Sequence, residues 1–132
     1  MEDERFERGS ARLREIDGSA GAEVIAGLAD IAPDLGRYVV EFAFGDVYSG
    51  PELSLREREI ATIAALTALG SAHPQLVVHI EAGLRVGLSR EEVIAIITQM
   101  AVYAGFPAAL NGVSAAREAF AAHDARAGDA GG

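Results

Sequence analysis

The sequence has no cysteine, no tryptophan and no lysine; all 11 of its basic residues are arginine. Without cysteine there is no thiol nucleophile, no redox CxxC pair and no thiolate metal site. Without lysine there is no Schiff-base chemistry, no pyridoxal phosphate anchor and no phosphate-loop lysine. Aromatic residues make up only 6% of the chain. No apolar run approaches the ~20 residues that a membrane span requires. Acids outnumber bases by 20 to 11, for a formal net charge of −9. Nucleic acid and anionic membranes are recognised by clustered Lys and Arg, so neither is an expected partner. The charged N-terminus, MEDERFERGS, lacks the basic start and apolar core of a signal peptide, which gives a cytoplasmic expectation. Alanine-rich, lysine-free usage points to a high-GC bacterial source.

What is present is one domain's worth of helix-forming sequence. At 132 residues the chain can bury about two-thirds of its unfolded surface without a metal or disulfide staple. Apolar residues recur at three- and four-residue spacing, which predicts an all-α fold of about six helices. Residues 1–21 read as an N-terminal arm or peripheral helix, broken by Asp17, Gly18, Ser19 and Gly21. Short helices follow from about Ala22 to Ile31 and from Pro33 through Phe44. Beyond a loop at Asp46–Pro51, Ser54 with Glu57 fits a capping box, opening a helix from Leu55 to about Leu69. Pro74 starts a helix running to Val86, where Gly87 offers a left-handed cap and Leu88 its hydrophobic partner. A second capping box, Ser89 with Glu92, opens a helix to about Ala104. The last helix begins near Pro107, and residues 126–132 read as a disordered tail. Asn111-Gly112 falls inside it, as a weak point or a close-packing site.

Three histidines, His73, His79 and His123, are the only side chains that ordinarily titrate near neutrality. His73, beside a helix-starting proline, and His123, near the C-terminus, are most simply surface residues. His79 has Leu76, Ile80, Gly83 and Leu84 at contact spacing, so it sits on or beside a buried face. A lone histidine there is more often a hydrogen-bonded core residue than a catalyst. In a chain without cysteine or lysine it is still the leading general acid or base.

The run Arg56-Glu57-Arg58-Glu59 reads first as a solvated helix start, with Glu57 in the cap. Glu59 lies about 200° around the helix from Glu57 and shares a side with Ile63 and Leu66, so it points inward. From there it could exchange a proton with a nearby histidine. In the stretch from Gln99 to Asn111, Gln99 and Tyr103 share a face and Gly105-Phe106-Pro107 turns the chain. Core packing explains most of it; a small-residue cavity with Tyr103 and Asn111 as polar handles is the functional alternative. His73 and His79 are six apart and make no metal pair, and there is no HExxH, phosphate loop or nucleophile elbow.

The strings Ala32-Pro33-Asp34-Leu35, Phe44-Gly45-Asp46-Val47-Tyr48-Ser49 and Leu53-Ser54-Leu55-Arg56-Glu57-Arg58-Glu59-Ile60, followed by Ala64-Ala65-Leu66, resemble the carboxymuconolactone decarboxylase family. So do His79-Ile80, Gly87-Leu88-Ser89-Arg90-Glu91-Glu92 and Ala101-Val102-Tyr103-Ala104-Gly105-Phe106-Pro107-Ala108-Ala109. The resemblance covers roughly Val24 to Ala122, within a domain set at residues 22–125. It implies an all-α fold whose central helices pair between subunits, giving a homo-oligomer, trimer or hexamer. In the alkyl hydroperoxidase D-like branch, the two cysteines would fall on Ala72 and Gln75. Their absence argues against thiol peroxidase activity and places the chain in the decarboxylase branch, which needs no metal or organic cofactor.

That branch implies loss of carbon dioxide from a small cyclic carboxylated lactone, followed by return of a proton at carbon. By resemblance His79 is the acid/base and Glu59, or else Glu57, its acidic partner. Arg56, Arg58 or Arg85 would hold the substrate carboxylate, because a guanidinium fork matches it bidentately. Two features depart from the pattern: one extra residue lies between Gly70 and His79, and Glu81 stands where the decarboxylases often carry a base. An acid beside the catalytic position would repel a dicarboxylate. The leading expectation is a cofactor-independent carbon-carbon lyase. The alternative is a non-catalytic oligomeric binding or scaffold protein of the same fold.

Overall fold

The computed structural model describes residues 2–131, and among them there are seven α-helices, one π-helical stretch and no strand. They fall into two compact units, Met1–Leu55 and Arg56–Gly132. The all-α expectation holds throughout.

In the first unit, α1 (Glu2–Asp17) and α2 (Ser19–Ala26) are separated by Gly18 alone. Gly21 lies inside α2 instead of breaking the chain, because Leu13 of α1 approaches so closely that a Cβ there would sit 2.6 Å from Leu13 Cδ1. α2 therefore starts earlier than the sequence suggests and stops at Ala26, five residues before Ile31. α3 (Pro33–Tyr38) continues directly into a π-helical stretch, Val39–Val47, where a plain α-helix to Phe44 was expected. Its wider turn is closed by the Tyr48 N–H bonding the Ala43 carbonyl at 2.8 Å, and the Ser49 hydroxyl donates to the Phe44 carbonyl at 2.7 Å.

The widened segment lies against α1 at backbone distance. A Cβ on Gly9 would be 1.9 Å from the Val40 carbonyl oxygen, and one on Gly45 would be 2.8 Å from that of Arg5. Arginines from α1 fix the end of the segment. Arg5 forks onto Asp46 at 2.7 and 3.3 Å, while Arg8 donates to the Gly45 carbonyl at 2.7 Å and to Asp46 at 3.2 Å.

In the second unit, α4 (Leu55–Leu69), α5 (His73–Arg85), α6 (Arg90–Ala104) and α7 (Phe106–Gly131) surround one apolar core. Ile63, Leu76, Ile80, Leu88, Val93 and Ile97 form it, and Ala109, Ala115, Ala116 and Ala119 of α7 close over them. The small residues on α7 let helix backbones approach closely. Gly112 is a packing site, since a Cβ there would meet Ile97 Cγ2 at 2.8 Å and Thr67 Cγ2 at 3.0 Å.

The punctuation of α5 and α6 follows the sequence. Gly87 (φ +108) carries the chain out of α5 as its N–H bonds the Leu84 carbonyl at 3.3 Å and the Leu88 N–H bonds that of Gly83 at 2.9 Å. That is the Schellman arrangement, with Leu88 buried as its apolar partner. Ser89 and Glu92 then form the reciprocal capping box, at 3.0 Å to the Glu92 N–H and 2.9 Å from the Ser89 N–H. α7 is helical beyond Arg126, as far as Gly131. Arg126 reaches Glu81 on α5, Arg90 on α6 pairs with Asp124, and the Arg90 guanidinium lies 4.9 Å from the Phe120 ring centroid. No helix among the described residues is long and apolar enough to cross a membrane.

Candidate functional site

α4 presents Glu59, Ile63 and Thr67 at four-residue spacing, and all three are buried. Ile63 and Thr67 belong there; Thr67 satisfies its hydroxyl on the Ile63 carbonyl at 2.7 Å. Glu59 is 0% exposed, and a carboxylate removed from water is costly unless something donates to it. The donor comes from the neighbouring helix. On α5, Leu76, Ile80, Ala82 and Gly83 face the core, and His79, beside Ile80, projects toward α4 with 19% of its side chain exposed.

His79 Nδ1 lies 3.0 Å from Glu59 Oε2 and 3.4 Å from Oε1. An ionised carboxylate only accepts, so with Glu59 in that form Nδ1 carries the hydrogen. That contact fixes the ring orientation and, in the neutral imidazole, makes Nε2 the basic nitrogen. A buried acid that orients an imidazole is the arrangement by which a histidine is set up for proton transfer at its other nitrogen. Glu57 is exposed, about 200° around α4 from Glu59, and it is the Glu59 carboxylate that the structure brings to the histidine.

The arginines are distributed differently from one another. Arg56 precedes Glu59 by three residues, on the same side of α4, and its guanidinium is held by Glu92. The Glu92 carboxyl is held below its ordinary range, first by the Ser89 backbone N–H and then by Arg56. Arg58 is half-buried on α4. Arg85, at the end of α5, is exposed and makes no ion pair among the described residues. Tyr103, near the end of α6, is 78% exposed, and Asn111, in the second turn of α7, is exposed as well. His73 pairs with Glu118 of α7 at 2.8 Å. Among the described residues no three His, Cys, Asp or Glu side chains cluster as metal ligands.

Glu81, read from the sequence as an acid beside the catalytic position, is engaged elsewhere. Two residues beyond His79 means about 200° around the helix, and Glu81 turns to α7, where Arg126 forks onto it at 2.9 and 3.2 Å. Arg126 lies 45 residues further on, inside the stretch that reads as a tail. No local pattern connects the two, so this neutralising contact was not legible in the sequence. The link between Glu92 and Arg56 was missed for a related reason: Glu92 reads as a cap, and its second oxygen is the one that holds the arginine.

Two relatives bear on what this pair of helices carries. The chain is 30% identical over 120 residues, 90% of its length, to the 4-carboxymuconolactone decarboxylase of Acinetobacter baylyi, covering 89% of that protein. It is 28% identical over 95 residues, 71% of each chain, to an uncharacterized 15.0 kDa protein of the nqo9-nqo10 intergenic region of Paracoccus denitrificans. The family model for carboxymuconolactone decarboxylases matches residues 33–118, a span that contains Glu59, His79 and the Ser89–Glu92 capping box. With that match and the relative covering nine-tenths of its length, the chain belongs to the carboxymuconolactone decarboxylase family.

Proposed function

We propose that the protein is a cofactor-independent carboxy-lyase acting on a small cyclic carboxylated substrate of the lactone class. The observation that carries the reading is the hydrogen bond from His79 Nδ1 to the fully buried Glu59 carboxylate. In the reaction, the bond between the ring carbon and the carboxylate breaks and carbon dioxide leaves. The electron pair delocalises through the β,γ-double bond to the lactone carbonyl as a dienolate. The imidazolium of His79, held at Nδ1 by Glu59, returns a proton from Nε2 to carbon, and the histidine regains its proton from water. Atoms and charge balance with one proton taken up per carbon dioxide released. Glu59 stabilises the imidazolium and fixes its direction without itself reaching the substrate.

Among the arginines, Arg56 is the one nominated to hold a substrate carboxylate, because it shares the Glu59 side of α4 and Glu92 fixes its guanidinium. Arg58 and Arg85 are the reserve candidates, and Tyr103 and Asn111 enter only if the α6–α7 turn of another subunit covers the site. A homo-oligomer, trimer or hexamer, is part of the proposal. It is supported by Val102, Tyr103, Phe106 and Leu110, all more than 65% exposed around one turn of the second unit.

The test is carbon dioxide release from a panel of β,γ-unsaturated carboxylated lactones, with 4-carboxymuconolactone as the first member. Turnover by the wild type and its loss in His79→Gln support the lyase. A wild type inert to the whole panel favours the scaffold reading instead.

A further inference from the structure

The first unit contains a cavity of about 560 Å³ between α1, α2 and the start of the π-helical stretch. Its volume lies within the ~300–1,000 Å³ of ordinary small-molecule sites. All but one of its lining residues precede residue 33, where the family match begins; the exception is Val40. Its body is apolar, built on Phe6, Leu13, Ile25 and Val40. Ser10, Ser19 and Arg14 supply the polar groups, and among the described residues no acid lines it, although acids outnumber bases 20 to 11 in the chain.

Arg14 is unlike the other arginines of this unit. Arg5 and Arg8 are bound to Asp46, Arg12 to Glu15 and Arg37 to Asp34 and Glu41. Arg14 makes no ion pair among the described residues, and its side chain lines the cavity. A guanidinium without a carboxylate at the wall of an apolar cavity matches a ligand with an apolar body and one anionic end. The start of α2, where Gly18 and Ser19 line the same cavity, carries no acid in its first turn.

We infer that this cavity binds an amphipathic monocarboxylate, its acyl chain in the apolar body and its carboxylate on Arg14. The cavity shares no described lining residue with the His79–Glu59 pair, and the inference does not depend on the proposed lyase activity.

The experiment is calorimetric titration of the full chain with octanoate, and with octanol as the neutral analogue. The expected result is saturable binding of one octanoate per chain, with octanol weaker by roughly ten-fold or more. Arg14→Gln, an exposed helix-compatible change, should weaken octanoate by a similar factor while leaving octanol unchanged. Ala22→Phe, which places a ring among the lining residues, should weaken binding of both. His79→Gln should leave octanoate binding intact, which separates this site from the one on α5. Absence of saturable binding at millimolar octanoate, equal affinity for octanol, or an unchanged affinity in Arg14→Gln overturns the inference. Loss of binding in His79→Gln overturns it as well, because the ligand would then lie at the other site.

Discussion

At the residue scale the protein turns on one buried acid. Glu59 is as enclosed as Ile63 one turn on, yet it needs a donor that Ile63 does not. His79 supplies one, and the choice of replacement therefore decides what a mutation measures. His79→Ala leaves the Glu59 carboxylate buried without that donor and should cost on the order of 3 kcal/mol of stability, read by denaturant melts. His79→Gln retains an N–H that can face Glu59, so its fold should survive while proton transfer is lost; it is the variant that isolates chemistry from stability. Glu59→Gln keeps an acceptor for Nδ1 but removes the negative charge that would stabilise the proposed imidazolium, and should lower kcat by roughly 10²-fold with little change in KM. A KM effect with unchanged kcat would assign Glu59 to binding instead.

The inward direction of Glu59 was legible from helical arithmetic alone, since it shares a side with Ile63 and Leu66. That it meets His79, 20 residues away on another helix, is a tertiary fact with no local signature. Glu81 shows the opposite failure. Its distance of two residues from His79 in sequence suggested nearness to the site, whereas the helical rotation sends it to Arg126.

At the element scale, capped helices were readable and unusual ones were not. Ser89 and Glu92 have side chains of the right type at the right spacing, and both reciprocal bonds form. Ser89→Ala should destabilise the protein by about 1 kcal/mol, measured as a shift in the denaturation midpoint with unchanged slope. The π-helical stretch after α3 has no such signal. Its widened turn depends on contact with α1, where Gly9 and Gly45 allow backbones to touch, and a pattern of apolar spacing cannot report that. Gly9→Ala would force a methyl carbon against the Val40 carbonyl and should destabilise the first unit by several kcal/mol, despite alanine's advantage of ~1 kcal/mol in an isolated helix. Equal or improved thermal stability in Gly9→Ala would show that α1 does not pack on that stretch.

At the scale of the whole molecule, net charge and assembly matter most. Two carboxyls, Asp46 and Glu92, are held low, Asp46 by the Arg5 fork and Glu92 by the Ser89 backbone N–H. A lowered folded-state value contributes stability that is fully present above the ordinary carboxylate range. It is lost as pH falls through the lowered value, so the helical signal should be flat from neutrality down to roughly pH 4 and fall below it. A loss of stability beginning near pH 6 would point to histidine instead. The exposed turn at Val102, Tyr103, Phe106 and Leu110 should be covered by another copy, so light scattering should report a trimer or hexamer and Phe106→Asp should shift it to smaller species. A monomeric wild type would contradict the assembly.

The His79–Glu59 pair is tested most directly by carbon dioxide release from 4-carboxymuconolactone by the wild type and by His79→Gln, with circular dichroism establishing that both are folded. Turnover by the wild type and its reduction by roughly 10³-fold or more in the folded variant is the result expected of an essential acid/base. Undiminished turnover in folded His79→Gln would contradict it.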